Sequence, residues 1–215
     1  MDTQKLIEKL SAEGPKKPLR RPVFTWGLFL LCLFGHAVLA ISLSGLRVDI
    51  VSKVQDPTYL MTLLGMLIVG VLAAWLTTCF ALPDGNQQSG FGRRVVLLLC
   101  VCVAAVLGYS WWHMGSHVYA LCSLMGDYAC AVHVVLSSLT PLIVMTYMIR
   151  KAAPIRILWV GFMAGLSAAS FAYVVLQLTM VGESPAHLFI WHFLPVFGVS
   201  IAGLCLGKYL FRYLL

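Results

Sequence analysis

Long apolar stretches, separated by short polar segments, occupy most of the chain. Each is close to the roughly 20 residues that an α-helix needs to cross a hydrocarbon core about 30 Å thick. The stretches are residues 23–46, 59–82, 95–112, 128–149, 155–181 and 187–210. We therefore predict an all-α, polytopic integral membrane protein, built as a bundle of six transmembrane helices.

The first 22 residues differ from the rest and form the only sizeable polar segment. Residues 3–13 predict a short amphipathic helix, with Leu6, Ile7 and Leu10 on one face. The glycine and proline that follow are typical of a helix end. A helix of this length is marginal alone in water, so we expect it to dock on the membrane, on the rest of the chain or on a partner.

Composition and charge support this assignment. The chain is 60% hydrophobic and 11% charged, whereas soluble domains carry about 25% charged residues. If the N-terminus lies in the cytoplasm, all 15 Lys and Arg residues except Arg47 and Lys53 fall on the cytoplasmic side. This bias predicts six spans with both termini in the cytoplasm. The net charge of +7 then serves topology and contact with anionic lipid, and does not indicate nucleic acid as a direct partner.

The sequence gives no indication of an enzyme. No nucleophile elbow, zinc-protease motif, phosphate-binding loop or dinucleotide-binding pattern is present. No acidic residue and no Lys or Arg lies at mid-membrane in the predicted spans, which argues modestly against transport. The seven cysteines are mostly scattered within spans and do not form a disulfide framework. We assign no catalytic residue, no cofactor and no metal ligand set.

Two cysteines and five histidines collect at the predicted outer side, the histidines being His113, His117, His133, His187 and His192. His113 and His117 are four residues apart, and Cys122 and Cys130 follow, with His192 near the start of the last span. These five residues are candidates for sensing a metal or a redox state. The alternative is an interfacial belt, because tryptophan and tyrosine side chains occur beside them and favour that depth.

Two glycine pairs predict close helix contacts. Gly161-x-x-x-Gly165 lies in the fifth span and Gly203-x-x-x-Gly207 in the sixth, and such spacing lets helix backbones approach. Pro195 in the sixth span is expected to disturb its helix and to leave a carbonyl without its usual donor.

Three stretches carry a resemblance to a known family. In chain order they are Leu6-Ile7-x-x-Leu10 with Pro15 and Pro18-Leu19-Arg20-Arg21-Pro22; Leu139-x-Pro141-Leu142 to Arg150-Lys151-Ala152-Ala153-Pro154, with Gly161-x-x-x-Gly165-Leu166; and Glu183-Ser184-Pro185 through Ile190-Trp191-His192-x-x-Pro195 and Gly203 to Gly207, ending on Leu210-x-Arg212. The chain resembles the NrsF-like (negative regulator of sigma F) membrane anti-sigma factors, which are six-span proteins of the bacterial inner membrane.

The resemblance implies a regulator that holds an extracytoplasmic-function sigma factor at the inner membrane and releases it on a stress signal. The residues that we expect to contact the sigma factor are an apolar face for its groove and a rim of lysines: Leu6, Ile7, Leu10, Lys5, Lys9, Lys16 and Lys17. The other partner is the lipid bilayer, and formation of a homo-oligomer is left open.

The chain departs from the family pattern at one position. Members carry a cysteine just before the polar turn ahead of the last span, and Val181 stands there, while Cys130 matches the other cysteine position. The resemblance therefore does not carry over a two-cysteine redox or metal switch. Two other functions stay open: a small membrane carrier or electron-transfer subunit that uses the outer histidines and cysteines, and a structural subunit of a membrane complex.

Overall fold

The protein is a bundle of six long helices. The computed structural model describes residues 3–4, 8, 22–81, 89–113, 128–149, 156–180 and 185–212, without the side chains of residues 22, 89, 113, 185, 208 and 210–212. The long helices are α1 (Pro22–Ser44), α2 (Pro57–Phe80), α3 (Ser89–His113), α4 (Tyr128–Ile149), α5 (Ile157–Thr179) and α6, which comprises Pro185–His187, Leu188–Phe193 and Leu194–Arg212. Every regular element in these ranges is helical, and all six contain a segment long and apolar enough to cross a membrane. The predicted all-α architecture, with six helices long and apolar enough to span a membrane, is confirmed.

Local backbone chemistry explains where α1 ends. The predicted span continued to Leu46, but α1 stops at Ser44. Gly45 has φ 80°, a left-handed conformation that glycine adopts without steric cost, and its N–H donates to the carbonyl of Ile41 at 2.8 Å. The turn directs the chain into a one-turn helix, Ile50–Lys53, within the predicted loop.

The start of α2 follows from its cap. Asp56 precedes the helix, and its carboxylate accepts from the N–H of Thr58 at 2.9 Å, while Pro57 occupies the first turn. An acidic cap followed by proline is a favourable helix start, because proline has no N–H to leave unsatisfied there. The helix therefore begins two residues before the predicted span at Tyr59.

The third helix begins earlier than its apolar stretch. It starts at Ser89 rather than Val95, so Arg93 and Arg94 lie on the helix instead of in the preceding loop. The Arg93 guanidinium lies 4.7 Å from the centre of the Trp159 ring of α5. This cation–π contact gives a charged side chain at a span end a favourable place beside the bundle.

Helix α5 is the centre of the bundle. In its most apolar 18-residue window 72% of the residues are buried, against 11% for α1. It contacts α6, α2, α4 and α1. Its middle is rich in glycine, alanine and serine, and side chains of this size let several helices approach one axis. One of them, Ser167, donates to the carbonyl of Gly70 in α2 at 2.8 Å.

The two predicted glycine pairs face each other between α5 and α6. A Cβ at Gly161 would collide with the carbonyl oxygen of Gly203, and a Cβ at Gly203 would collide with that of Gly161. A Cβ at Gly165 would lie 2.7 Å from the carbonyl oxygen of Val199, and one at Gly207 would lie 3.0 Å from that of Ile157. These obstacles are backbone atoms, so a side chain here forces the helices apart. The predicted close approach is confirmed.

We predict that Gly161→Ala destabilises the bundle by about 1–3 kcal/mol, because the added methyl group overpacks a contact between backbones. Thermal unfolding of the detergent-solubilised protein, followed by circular dichroism, measures the change as a lower Tm.

Gly198→Ala is the matched control on α6. Nothing lies within 4 Å of a Cβ at Gly198, and alanine is the better helix former by up to roughly 1 kcal/mol. Its Tm should stay the same or rise. Equal losses in the two variants would show that the glycines of α5 and α6 do not hold the helices together.

Candidate functional site

The structure describes some of the predicted site residues, while the others lie outside the described residues. All seven predicted sigma-factor contacts lie outside the described residues: Lys5, Leu6, Ile7, Lys9, Leu10, Lys16 and Lys17. Of their neighbours, Thr3, Gln4 and Glu8 are described, and they are helical and exposed. Among the sensing candidates, Cys122 and His117 also lie outside, and His113 ends α3 without a described side chain.

The remaining two sensing candidates come together with a third residue. The Sγ of Cys130 and one ring nitrogen each of His187 and His192 all lie within 4.8 Å of one another. Cys130 is in the first turn of α4, and the two histidines are at the start of α6. His192 is fully buried, whereas Cys130 and His187 are partly exposed. We call these three side chains the cysteine–histidine cluster.

A π-helical segment places both histidines on the same side of α6. Residues five apart on an α-helix point about 140° away from each other, since each residue turns the helix by about 100°. Over Leu188–Phe193 the helix is instead of the π type, and the N–H of Leu194 donates to the carbonyl of Phe189, five residues earlier. The rings of His187 and His192 consequently meet, with centroids 5.1 Å apart.

Pro195 stands two residues after the π segment. Because proline has no N–H, it cannot donate to a carbonyl of the preceding turn, and the regular α-helical pattern is interrupted there. Turns of the π type are rare in proteins, and those that do occur are frequently found at functional sites. The disturbance expected from Pro195 is thus seen as a change of helix type just before it.

A chain of polar contacts leads from the cluster to the loop between α1 and α2. The ring of His192 packs edge-on against Tyr173 of α5, with centroids 5.9 Å apart. The side-chain amide of Gln177 donates to the Tyr173 hydroxyl at 3.0 Å and to Thr62 Oγ1 at 3.2 Å. The carbonyl of Gln177 in turn accepts from Tyr59 at 3.0 Å. All these groups except the partly exposed cluster residues lie in the buried part of the bundle.

Arg47 completes this end of the bundle. Its guanidinium donates to both carboxylate oxygens of Asp49, at 2.7 and 3.0 Å, and to the carbonyl of Gln177 at 3.2 Å. It also lies 5.4 Å from the centre of the Tyr59 ring. The backbone N–H of Arg47 donates to the carbonyl of Leu178 at 3.0 Å. The loop is therefore fastened to the end of α5, and we call Arg47, Asp49, Tyr59 and Gln177 the Arg47 network.

The neighbouring Arg47 guanidinium shifts the pKa of the Asp49 carboxyl group. Hydrogen bonds from Arg47 lower its pKa below the ordinary value of 3.8, against a smaller opposing effect of desolvation. A lowered pKa in the folded state means a stabilising contribution that is complete above about pH 3.8 and is lost as the pH falls through the folded value.

Sequence reasoning missed several of these residues. His187 was recognised as an outer histidine but not as a neighbour of His192, because an α-helix would separate them. Arg47 was counted only as one of two outer cations, although it is 4% exposed. The available signals were the proline that follows His192 and a glutamine, Gln177, late in an apolar span.

We predict that Arg47→Met lowers the Tm, because it removes four side-chain contacts and leaves the Gln177 carbonyl and the Asp49 carboxylate without their guanidinium. The difference in Tm between wild type and variant should narrow as the pH is lowered below about 3.8, because the wild type then loses its ion pair as well.

Lys53→Met is the control for this prediction. Lys53 belongs to the same loop, but its ion pair with Asp56 spans 4.0 Å between exposed groups and contributes little. A Tm loss in Lys53→Met as large as that in Arg47→Met would contradict a specific role for the network.

Comparison with known proteins places the chain in a family. The family model described as "NrsF: Negative regulator of sigma F" matches residues 10–213, nearly the whole chain. No curated protein and no solved structure gives a significant match. The matched region contains all six long helices, the cysteine–histidine cluster and the Arg47 network. The chain therefore belongs to the NrsF family, negative regulators of sigma F.

Proposed function

We propose that the protein is a membrane-bound anti-sigma factor that holds an extracytoplasmic-function sigma factor at the bacterial inner membrane and releases it on a stress signal. The observation that carries the proposal is the family match over residues 10–213 of a chain with six helices that can span a membrane. A negative regulator of this form can act by keeping the sigma factor away from RNA polymerase, and it needs no catalysis.

The distribution of charge supports an orientation with both termini in the cytoplasm. Arg93, Arg94 and Arg156 lie at one end of the described bundle, while Arg47 and Lys53 lie at the other with the cysteine–histidine cluster. Basic residues near span ends favour the cytoplasmic side. The sigma factor would then meet the arginine end, and the cluster would face outward.

The N-terminal segment is the proposed contact with the sigma factor. Leu6, Ile7 and Leu10 share one face of the predicted helix, which suits a hydrophobic groove, and lysines at 5, 9, 16 and 17 suit an acidic rim. The segment precedes α1 directly, so that a bound sigma factor stays at the membrane.

Release requires two states of the bundle with different affinities for the sigma factor. A hundredfold lower affinity for the sigma factor corresponds to about 2.7 kcal/mol of binding free energy, comparable with a few helix contacts.

The proposed sensing end includes Cys122, Cys130, His113, His117 and His192. Within it, His192 contacts Tyr173 of α5, and α5 extends from there to Trp159, which contacts Arg93 of α3 at the opposite end. The central helix is therefore the proposed route between the two ends.

We predict that the triple variant Leu6→Asp, Ile7→Asp and Leu10→Asp loses sigma-factor binding by at least tenfold, because three carboxylates replace the apolar face. The measurement is an affinity pull-down of the tagged, detergent-solubilised full chain from its own bacterium, with retained proteins identified and quantified by mass spectrometry.

The control variant is Gln4→Asp, Ser11→Asp and Ala12→Asp, which adds the same charge and leaves the three apolar side chains in place. It should retain the sigma factor. The proposal is wrong if wild type retains no sigma factor, and the assignment of the contact is wrong if both triple variants retain it equally.

Reporter fusions test on which side of the membrane the loop after α3 and the C-terminus lie. Alkaline phosphatase, which is active only outside the cytoplasm, should be active when fused after Ser116 and inactive when fused after Leu215. Green fluorescent protein should give the reverse pattern. Active phosphatase after Leu215 would overturn the proposed topology.

The cysteine–histidine cluster favours one alternative, a small carrier or electron-transfer subunit. Such a subunit would contain a bound redox metal or haem and would retain oxidoreductase subunits in the same pull-down. Absorption spectra of the purified protein distinguish it from an anti-sigma factor without a chromophore.

A further inference from the structure

We propose that Cys130, His187 and His192 form a binding site for a thiophilic closed-shell metal cation, Zn²⁺ or Cu⁺, between the first turn of α4 and the start of α6. Cys130 and His192 also belong to the proposed sensing end, but metal binding is tested without the sigma factor, so its outcome does not depend on the anti-sigma function.

The donor set points to this class of cation. One cysteine sulfur and two imidazole nitrogens suit zinc and copper, whereas magnesium and calcium prefer oxygen. Three protein ligands also leave an open position on zinc for water or another donor. Binding displaces the thiol proton of Cys130 to solvent and uses both histidines as neutral rings, so affinity falls as the pH is lowered.

The spacing is suitable for coordination. In a tetrahedral zinc site with bonds of about 2.0–2.3 Å, ligand atoms lie about 3.3–3.6 Å apart. The three donor atoms lie within 4.8 Å of one another without an ion. Side-chain rotations that move each donor atom by roughly an ångström bring these distances down to the spacing of a zinc site. The helices therefore do not have to move far.

The surroundings hold the ligands and leave an entry. His192 is fully buried, and its ring is fixed edge-on against Tyr173. Cys130 and His187 are partly exposed and lie at span ends, where an aqueous cation can reach them. The π-helical segment is the element that turns His187 towards His192, so the backbone itself is arranged for the site.

An aromatic belt alone does not account for this arrangement. A belt requires rings at interfacial depth, and Trp111 against Phe189, with centroids 6.1 Å apart, satisfies that description. It does not require a sulfur and two imidazoles to converge. The contrast is His133, which is exposed on α4 and bonds through Nδ1 to the carbonyl of Ala129 in its own helix at 2.8 Å.

The test is metal binding by the purified full chain in detergent. The protein is stripped with a chelator, loaded with Zn²⁺ or, under reducing conditions, with Cu⁺, and desalted, and metal per chain is measured by mass spectrometry. Cys130→Ser, His187→Ala and His192→Gln are compared with Cys102→Ser and His133→Gln, whose side chains are exposed on α3 and α4. Size-exclusion profiles and Tm verify that each variant is folded.

We expect about one ion per chain in wild type and in both controls, and at least tenfold less retained metal per chain in the three cluster variants. The cation that wild type retains at about one ion per chain is the one that the site binds. Wild type that retains neither ion above the level of Cys130→Ser overturns the proposal, as does equal loss in Cys102→Ser or His133→Gln.

A measurement on the wild type guards against variants that fail to fold. Loaded metal should slow alkylation of Cys130 several-fold, read peptide by peptide, and leave the alkylation of Cys32 and Cys102 unchanged. Co²⁺ should give a thiolate-to-metal charge-transfer band. If Cys130 is alkylated at the same rate with and without metal and no such band appears, the proposal is wrong.

Discussion

The bundle depends on one close contact, the approach of α5 and α6 at their glycines. Backbone atoms meet directly at Gly161 and Gly203, and the contact continues through Gly165 and Gly207. Helix α6 packs closely on one face of α5, which lies at the centre of the bundle. Small residues on the other faces of α5 allow α2 and α4 to pack closely against it as well. In a bilayer, where lipid solvates apolar side chains well, such packing and a few buried hydrogen bonds provide much of the cohesion.

The two ends of α5 differ in chemistry. The end that begins near Trp159 carries arginines and stacking contacts, while the end near Gln177 carries a hydrogen-bonded polar network and a sulfur–imidazole cluster. Buried polar groups are costly unless paired, so the Gln177 end is tightly specified. The cluster contacts the central helix directly, through the rings of His192 and Tyr173.

Much of the fold was predictable because bilayer thickness dictates span length. Six apolar stretches gave six helices, and the glycine pairs gave the α5–α6 contact. Boundaries shifted where local chemistry prevailed over hydropathy, at the left-handed Gly45, the Asp56 cap and the arginines that open α3. The site was predictable only in part. Cys130 and His192 were named from their depth, but His187 was not, since its approach depends on a helix type that hydrophobic periodicity does not reveal.

The π-helical segment also has a meaning for sequence length. A π turn contains one residue more than an α turn, so Leu188–Phe193 acts as a one-residue insertion absorbed inside a span. In an α-helix of the present length His187 would lie about 140° away from His192, so the wide turn does for a five-residue spacing what a regular α-helix does for a four-residue spacing. Gly203 and Gly207 follow Pro195 and keep their register against α5 in either case. A relative with one residue fewer between its two histidines would therefore keep them on one face with a regular α-helix, whereas a relative of the present length needs the π turn to do so.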